Sequence, residues 1–328
     1  MNESCLAPQG LVSTVLPPIL ILEFLLGLPG NTMALWIFCC RMKDWKPNTV
    51  YLLNLMLADF LLLAGLPLRI DNLLRGEDWV FGGALCRINL FMLAVNRSAS
   101  IGFMTIVAVD RYFKVVHPHH HANRMKARGA SLVAGAVWAG VVLVRIPLLA
   151  NDLLWRHGNQ TLCRSFSSNK ELTPGMWLHY FMYLAEFFLP FLLLVFCTVR
   201  ITCALHLRGL DRVPIVRRTV RAVRLIMVVF TICFLPGVAT GLATLLIHKL
   251  RPQDCEAYLL AGQMFSLSVG FTYLNSSLDP LIYCFFSYKF RNILKQYLNS
   301  LGVFRWIGRT ALPVTGENKA RPSSHPTV

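Results

Sequence analysis

An all-α membrane protein, a seven-transmembrane helix bundle with a short amphipathic eighth helix, is the fold that this 328-residue chain predicts. Charged residues make up 15% of it, where soluble domains average about 25%, too few to cover a surface facing water. Apolar residues make up 55% and the mean hydropathy is positive. They fall in long runs rather than at helical or strand periods, and a run of 18 or more crosses about 30 Å of hydrocarbon.

The runs cover residues 14–40, 48–74, 83–115, 129–150, 176–206, 217–248 and 258–285. In lipid each backbone N–H and C=O must be satisfied within its own segment, which makes every run a helix despite Pro67, Pro147, Pro190, Pro236 and Pro280. The alternating ten-residue strands of a membrane barrel are not visible. The expected organisation is an extracellular segment 1–13, a bundle 14–285, an amphipathic helix 286–298 and a cytoplasmic tail 299–328. In the amphipathic segment Phe290, Ile293, Leu294 and Leu298 stand beside Lys289, Arg291 and Lys295, a pattern that lies on a membrane surface.

Lys and Arg in the short loops set the orientation. Arg41, Lys43 and Lys46 follow the first run; Lys114, Arg124, Lys126 and Arg128 follow the third; Arg208, Arg212, Arg217, Arg218, Arg221 and Arg224 lie between the fifth and sixth. These loops belong in the cytosol, and the N terminus outside. The net charge of +16 is mostly this bias, which favours anionic headgroups and is not a nucleic-acid signature. No cleavable signal is apparent, so the first helix is expected to start its own translocation.

Asn2 and Asn159 begin N-x-S/T triplets in the outside segments and are candidate glycosylation sites. Cys5, Cys86, Cys163 and Cys255 also fall outside, where disulfides persist. Four cysteines allow three pairings, which sequence alone does not settle. The expected ones are Cys86 with Cys163, tying the third helix to the second outer loop, and Cys5 with Cys255. Cys39, Cys40, Cys197, Cys203, Cys233 and Cys284 read as small buried apolar residues.

Seven helices could equally build a carrier, a channel or an enzyme, so the ionisable residues within the spans decide. Each costs at least ~2.5 kcal/mol to bury and marks a functional site by default. On the inner half, Asp59 and Asp279 lie at the depth of Asn54, Asn96, Ser100, Asn275 and Ser276, with Asn31 able to bridge to them. Oxygen ligands and acidic charge suit a hard cation, sodium here. The competing reading is a hydrogen-bonded network that only locks helix packing. At the cytosolic end of the third helix, Asp110, Arg111 and Tyr112 form a latch in which a carboxylate holds an arginine until helices part, against which stands a plain snorkelling arginine.

On the outer half stand Arg69, Asp71, Arg97 and Arg145, with Glu23 and Glu186 also within spans. Arg97 lies eleven residues beyond Cys86, roughly 16 Å down the helix and too deep to snorkel outward. It needs an anion. Asp71 could pair with one arginine, but three arginines outnumber it, and a ligand carboxylate matches a guanidinium through two parallel hydrogen bonds. Glu23 or Glu186 as an internal partner is the alternative. The His run 117–121 reads as a solvated loop rather than a metal site.

Several motifs in order carry a resemblance over nearly the whole chain: Gly30-Asn31, N-L-M-L-A-D ending at Asp59, W-V-F-G from Trp79, Cys86, the D-R-Y at Asp110, Trp138, C-F-L-P at Cys233 and D-P-L-I-Y from Asp279 through Pro280 to Tyr283. Together they resemble the rhodopsin-like class of G-protein-coupled receptors. Within it, the stretches 90–100, 109–120, 184–190 and 271–280 look like the hydroxycarboxylic acid and oxoeicosanoid receptor group. The resemblance implies that Arg97 anchors a ligand carboxylate, that Ser165 and Phe166 of the second outer loop and Tyr273 complete the clamp, and that an inhibitory G protein lowering cyclic AMP is the partner. Arrestin and membrane lipid are further partners it implies, and no cofactor beyond the sodium ion is expected.

Against that pattern, Tyr273 occupies the place of the retinal-binding lysine of opsins, and Leu93 the place of the aspartate of amine receptors, which argues against a photoreceptor and against amine ligands. Phe234 stands where many of the class carry tryptophan, and Thr198 where tyrosine is common, so the switch around Pro236 differs in detail. The tail after Cys284 has no cysteine for palmitoyl anchoring. V-H-P-H-H at 116–120 favours the small hydroxy acids, whereas Arg69 in L-P-L-R-I-D looks more like the oxidised fatty acid branch. An organic-anion carrier would use Arg97 as its midplane site but would show internal repeats with broken helices, and none is visible. No H-E-x-x-H, G-x-S-x-G or G-x-x-x-x-G-K-[ST] points to an enzyme.

Overall fold

The structure, a computed structural model, describes residues 10–42, 45–164, 174–208, 214–251, 253–286 and 288–300. Span one is α1 (Gly10–Trp36), ending in a π-helical turn (Ile37–Arg41). Span two is α2 (Pro47–Ala64) and α3 (Leu66–Leu74), span three α4 (Gly82–Val116), and span four α5 (Ala127–Arg145) and α6 (Pro147–Ala150). Spans five, six and seven are α7 (Pro174–Leu207), α8 (Pro214–Leu250) and α9 (Cys255–Phe286); α10 (Tyr288–Ser300) follows. Six of these spans are long and apolar enough to cross a membrane by composition alone. The seventh, 32 residues long, is more polar because it carries Gln263, Ser268, Asn275, Ser276 and Asp279.

Spans two and four each carry a one-residue break, at which the backbone stays in the helical region. Pro67 and Pro147 sit at the first turns of α3 and α6, where a missing N–H costs nothing, and the helix breaks just before them at Gly65 and Ile146. Pro190, Pro236 and Pro280 remain inside their helices, as expected.

The burial pattern is that of a protein in lipid. Leu132 is 77% exposed and Phe181 66%, while Asp59 and Asn31 are fully buried and Arg145 is 1% exposed. Apolar side chains facing hydrocarbon cost nothing; the polar ones must find each other inside. The three exposed cysteines Cys39, Cys40 and Cys203 correct the expectation of burial, which holds for Cys197 and Cys233, while the side chain of Cys284 lies outside the described residues. On a lipid-facing surface a thiol has no need to be interior.

A large core joins all seven spans around Phe187, Leu194, Phe230, Phe234 and Tyr283; a smaller one packs Val12, Leu16, Leu20, Leu62, Leu73 and Tyr273 from spans one, two and seven. Spans one and seven approach closely at Gly27: a Cβ there would meet Ser277 Oγ at 2.5 Å and Ser277 Cα at 3.1 Å. Asn31 reinforces the seam by donating to the Ser276 carbonyl at 2.8 Å. Helix α10 buries Phe290 beside Phe38 and sets Tyr297 against Trp36, docking its apolar side on span one.

A β-hairpin closes one end of the bundle, an element the sequence reading did not anticipate. Strands β1 (Leu154–His157) and β2 (Gln160–Cys163) pair antiparallel, Leu154 opposite Cys163, through a turn at Gly158 (φ 57°) and Asn159. The Gly-Asn pair between L-W-R-H and Q-T-L-C was the available signal. The Cys86–Cys163 disulfide, Cα atoms 5.8 Å apart, ties β2 to span three. Trp79 and Asp78 add backbone clamps, Trp79 N to Thr161 O at 2.7 Å and Thr161 N to Asp78 Oδ1 at 2.8 Å. Asn159 is exposed at the hairpin tip. Cys255 is disulfide-bonded as well, and Cys5, its expected partner, lies outside the described residues, as does Asn2.

Candidate functional site

Helical spacing brings Leu90, Leu93, Ala94 and Arg97 to one face of span three, at i, i+3, i+4 and i+7. That face is the wall of a cavity of about 140 Å³ beneath the hairpin, completed by His179 and Tyr183 of span five, Phe234 and Gly237 of span six, and Tyr258, Phe265 and Thr272 of span seven. Arg69, Arg145 and Arg164 line it too. No acidic residue does among the described residues.

Arg97 is 7% exposed. Its guanidinium lies over the Tyr183 ring, 4.2 Å from the centroid, and 5.4 Å from that of Phe234, so two aromatic faces stabilise the cation. Its Nη1 stands 3.7 Å from Glu186 Oε2, beyond the 2.7–3.2 Å of a direct N–H···O bond. Its Nη2 is buried with no hydrogen-bond partner among the described residues.

Arg145 is differently placed. Nη2 donates to the same Glu186 Oε2 at 2.5 Å and to Ser98 Oγ at 3.0 Å, and Nη1 lies 2.7 Å from His179 Nδ1. A guanidinium only donates, so Nδ1 accepts. Ser98 in turn donates to Glu186 Oε2 at 2.8 Å. Two guanidiniums therefore share one carboxylate, and among the described residues no second acid balances the buried cluster's positive charge.

Among the described residues, Asp71, Glu77 and Glu23 do not relieve it. Asp71 pairs with Arg75 at 2.8 Å on the surface, and Glu77 with Arg164 at 2.5 Å. Glu23 is buried on span one, with Oε2 lacking a hydrogen-bond partner among the described residues. Glu186 is thus the internal partner that the sequence reading weighed, held mainly by the neighbouring arginine. Tyr273, 3% exposed, packs in the cluster of spans one, two and seven, off the cavity wall on which Thr272 sits. Ser165 and Phe166 lie outside the described residues.

Deeper in the bundle, Asp59 accepts from Ser276 Oγ and Tyr283 Oη, both at 2.9 Å, while Asn275 donates to Ser100 Oγ at 3.2 Å and to Asp279 Oδ2 at 3.4 Å. The side-chain oxygens Oδ1 of Asp279, Asn275 and Asn96 are buried with no hydrogen-bond partner among the described residues. Unsatisfied oxygens around two carboxylates fit the donor set of a hard monovalent cation. Asn54 is not part of the group: it bonds Trp138 Nε1 at 2.9 Å, joining spans two and four.

At the far, basic end Arg111 Nε stands 3.8 Å from Asp110 Oδ2, and Lys114 takes the same carboxylate at 2.8 Å. Tyr112 Oη lies 3.1 Å from His117 Nε2, and His120 stacks on Phe113 with centroids 4.5 Å apart. The His run is exposed, and no cluster of three His, Cys, Asp or Glu is close enough for a metal among the described residues. Phe234 lies between the two sites, touching Arg97 above and Phe230 below at 5.1 Å, two residues before Pro236.

Sequence reasoning missed Tyr183, His179 and Ser98. His179, Tyr183 and Glu186 recur at i, i+4 and i+7, a polar stripe on an otherwise apolar helix, which was the legible signal.

A seven-span bundle stapled by a disulfide, with a cationic cavity at one end and a D-R-Y at the other, is the architecture of a membrane receptor. Residues 30–283 match the family described as 7 transmembrane receptor (rhodopsin family), and the chain belongs to it. It is a multi-pass plasma-membrane receptor and not an enzyme, and a G protein is its partner. The chain is 40% identical to Hydroxycarboxylic acid receptor 2 of Homo sapiens, over 98% of this chain and 89% of that receptor. It is 42% identical to Oxoeicosanoid receptor 1 of Homo sapiens, over 96% and 79%, and 44% identical to Hydroxycarboxylic acid receptor 1 of Mus musculus, over 87% and 82%. The particular branch is therefore the hydroxycarboxylic acid and oxoeicosanoid receptor group.

Proposed function

We propose that an extracellular carboxylate of the hydroxycarboxylic acid type activates this receptor, and that it acts through inhibitory G proteins to lower cyclic AMP. The observation that carries the reading is Arg97, a buried arginine on the cavity wall whose Nη2 has no hydrogen-bond partner among the described residues and whose neighbouring carboxylate, Glu186, is held by Arg145. A bidentate carboxylate would satisfy it. Arg69, Arg145 and Thr272 line the same space, and Ser165 and Phe166 are ligand residues on the strength of the resemblance, whereas Tyr273 packs off the cavity wall.

The cavity end faces outside in this reading, with the N terminus, and the basic loops face the cytosol. Asn2 and Asn159 then carry glycans. The ligand draws Arg97 and shifts the Phe234 ring that lies against it; span six pivots near Pro236, and Asp110 releases Arg111 to open the G-protein face, where arrestin also docks. The ligand biases this equilibrium only by its difference in affinity between the two states. A sodium ion among Asp59, Asn96, Ser100, Asn275 and Asp279 favours the closed state, with Pro280 and Tyr283 transmitting its release.

An oxidised fatty acid is the second reading. The apolar walls Leu90, Leu93, Leu148, Leu259, Phe265 and Val269 suit a hydrocarbon tail, and Oxoeicosanoid receptor 1 is among the relatives. Agonist-driven inhibition of cyclic AMP, measured with acids from lactate to oxidised C20 fatty acids on wild type and Arg97→Ala, tests both. A response in wild type that the surface-expressed variant lacks supports the anchor, and the active acid sets ligand size. No response to any acid refutes the reading.

A further inference from the structure

The pairing among Arg97, Glu186 and Arg145 is uneven. Both guanidiniums face the same carboxylate oxygen, yet Arg145 holds it at 2.5 Å and Arg97 stands off at 3.7 Å. Ser98 donates to that oxygen at 2.8 Å and accepts from Arg145 at 3.0 Å, and His179 accepts from the other amino group of Arg145 at 2.7 Å. Three spans therefore converge to fix one carboxylate on one arginine.

We infer that Arg145 is a positioning residue: with Ser98 and His179 it draws Glu186 off Arg97 and so keeps Arg97 open to the ligand. The inference rests on Arg97 as carboxylate anchor. Glu186 is a carboxylate tethered beside that anchor, an intramolecular competitor whose effective concentration far exceeds that of a dissolved acid. With its own charge partner it stays aside. Without Arg145 it closes the short gap to Arg97, and the site satisfies itself. Arg145 offers a ligand no two-pronged face of amino groups, because both already donate to Ser98, Glu186 and His179, only Nε lacks a partner among the described residues, and the residue is 1% exposed.

The experiment uses the full chain carrying Arg145→Gln, Glu186→Gln, both together, or Arg97→Gln. Potencies of lactate and an oxidised C20 fatty acid are read by cyclic AMP and corrected for surface expression. Arg145→Gln is expected to weaken the active acid about tenfold or more, the scale of a close buried charge pair. Adding Glu186→Gln should return potency to within about threefold of Glu186→Gln alone, since the competitor is gone. A double variant as weak as Arg145→Gln overturns the inference, because Arg145 would then touch the ligand itself; so does unchanged potency in Arg145→Gln.

A second arm needs no agonist. Thermal unfolding of the purified receptor, in a double-mutant cycle of Arg97→Gln and Glu186→Gln, reads the Arg97–Glu186 coupling directly. The coupling should be larger in the Arg145→Gln background than in wild type; equal coupling in the two overturns the inference whichever acid activates the receptor. Unchanged potency in Arg97→Gln sinks the anchor instead and leaves this cycle readable.

Discussion

Replacing Arg97 by Gln separates ligand binding from stability. In the unliganded receptor the guanidinium makes no direct hydrogen bond to a carboxylate: Nη1 is 3.7 Å from Glu186, and Nη2 has no partner among the described residues. What is lost on substitution is its position over Tyr183 and Phe234, on the order of 0.5–2 kcal/mol per cation–π contact, offset by removal of an uncompensated buried charge. Melting of the purified protein should therefore shift by only a few degrees. The complex with a carboxylate loses much more, about 2–5 kcal/mol for a buried hydrogen-bonded charge pair, or roughly 30-fold to over 1,000-fold in potency. Arg97→Lys should recover part of it, since an ammonium keeps the charge but not the two-pronged geometry. The paired measurement is thermal unfolding without ligand beside the concentration response in cyclic AMP. A large drop in melting temperature with unchanged potency would show Arg97 to be a structural cation and refute the argument.

Other outcomes follow from the same geometry. Asp59→Asn removes a carboxylate that sits beside the unsatisfied oxygens of Asp279, Asn275 and Asn96; sodium should then no longer lower agonist affinity, and retained salt dependence in radioligand competition would rule the cation site out. Gly27→Ala sets a methyl 2.5 Å from Ser277 Oγ and 3.1 Å from its Cα, an overpacking expected to cost about 1–3 kcal/mol; a melting temperature equal to wild type would mean that spans one and seven are not so closely seated. Cys86→Ser releases β2 from span three, a loss of about 2–5 kcal/mol if it behaves as other native disulfides do, and surface expression should fall sharply; normal expression with full agonist response would refute the claim that the hairpin needs this tie.

The membrane bundle was legible because its cause is one-dimensional. Long apolar runs must span lipid as helices whatever their neighbours, and the deep placement of Arg97 follows from counting 1.5 Å per residue along one helix. Asp59 and Asp279 stood out for the same reason, as ionisable groups where burial is costly. The spans stay helical despite their prolines, as expected, but in two ways: Pro67 and Pro147 follow one-residue breaks at Gly65 and Ile146, whereas Pro190 and Pro236 stay inside continuous helices. The hairpin was missed although its Gly-Asn turn was in view.

Sequence by itself determined that this chain crosses a membrane seven times, that a buried arginine of span three needs an anion, and which receptor class its motifs resemble. Each is a property of a single segment or of motif order. Only the tertiary structure decided how the charges divide. Asp71 turned to Arg75 on the surface, and Glu186 turned to Arg145 at 2.5 Å, leaving Arg97 at 3.7 Å. Charge pairing is set by distances of a few ångströms between side chains on different helices, and helix rotation and crossing, which packing alone establishes, are what fix those distances.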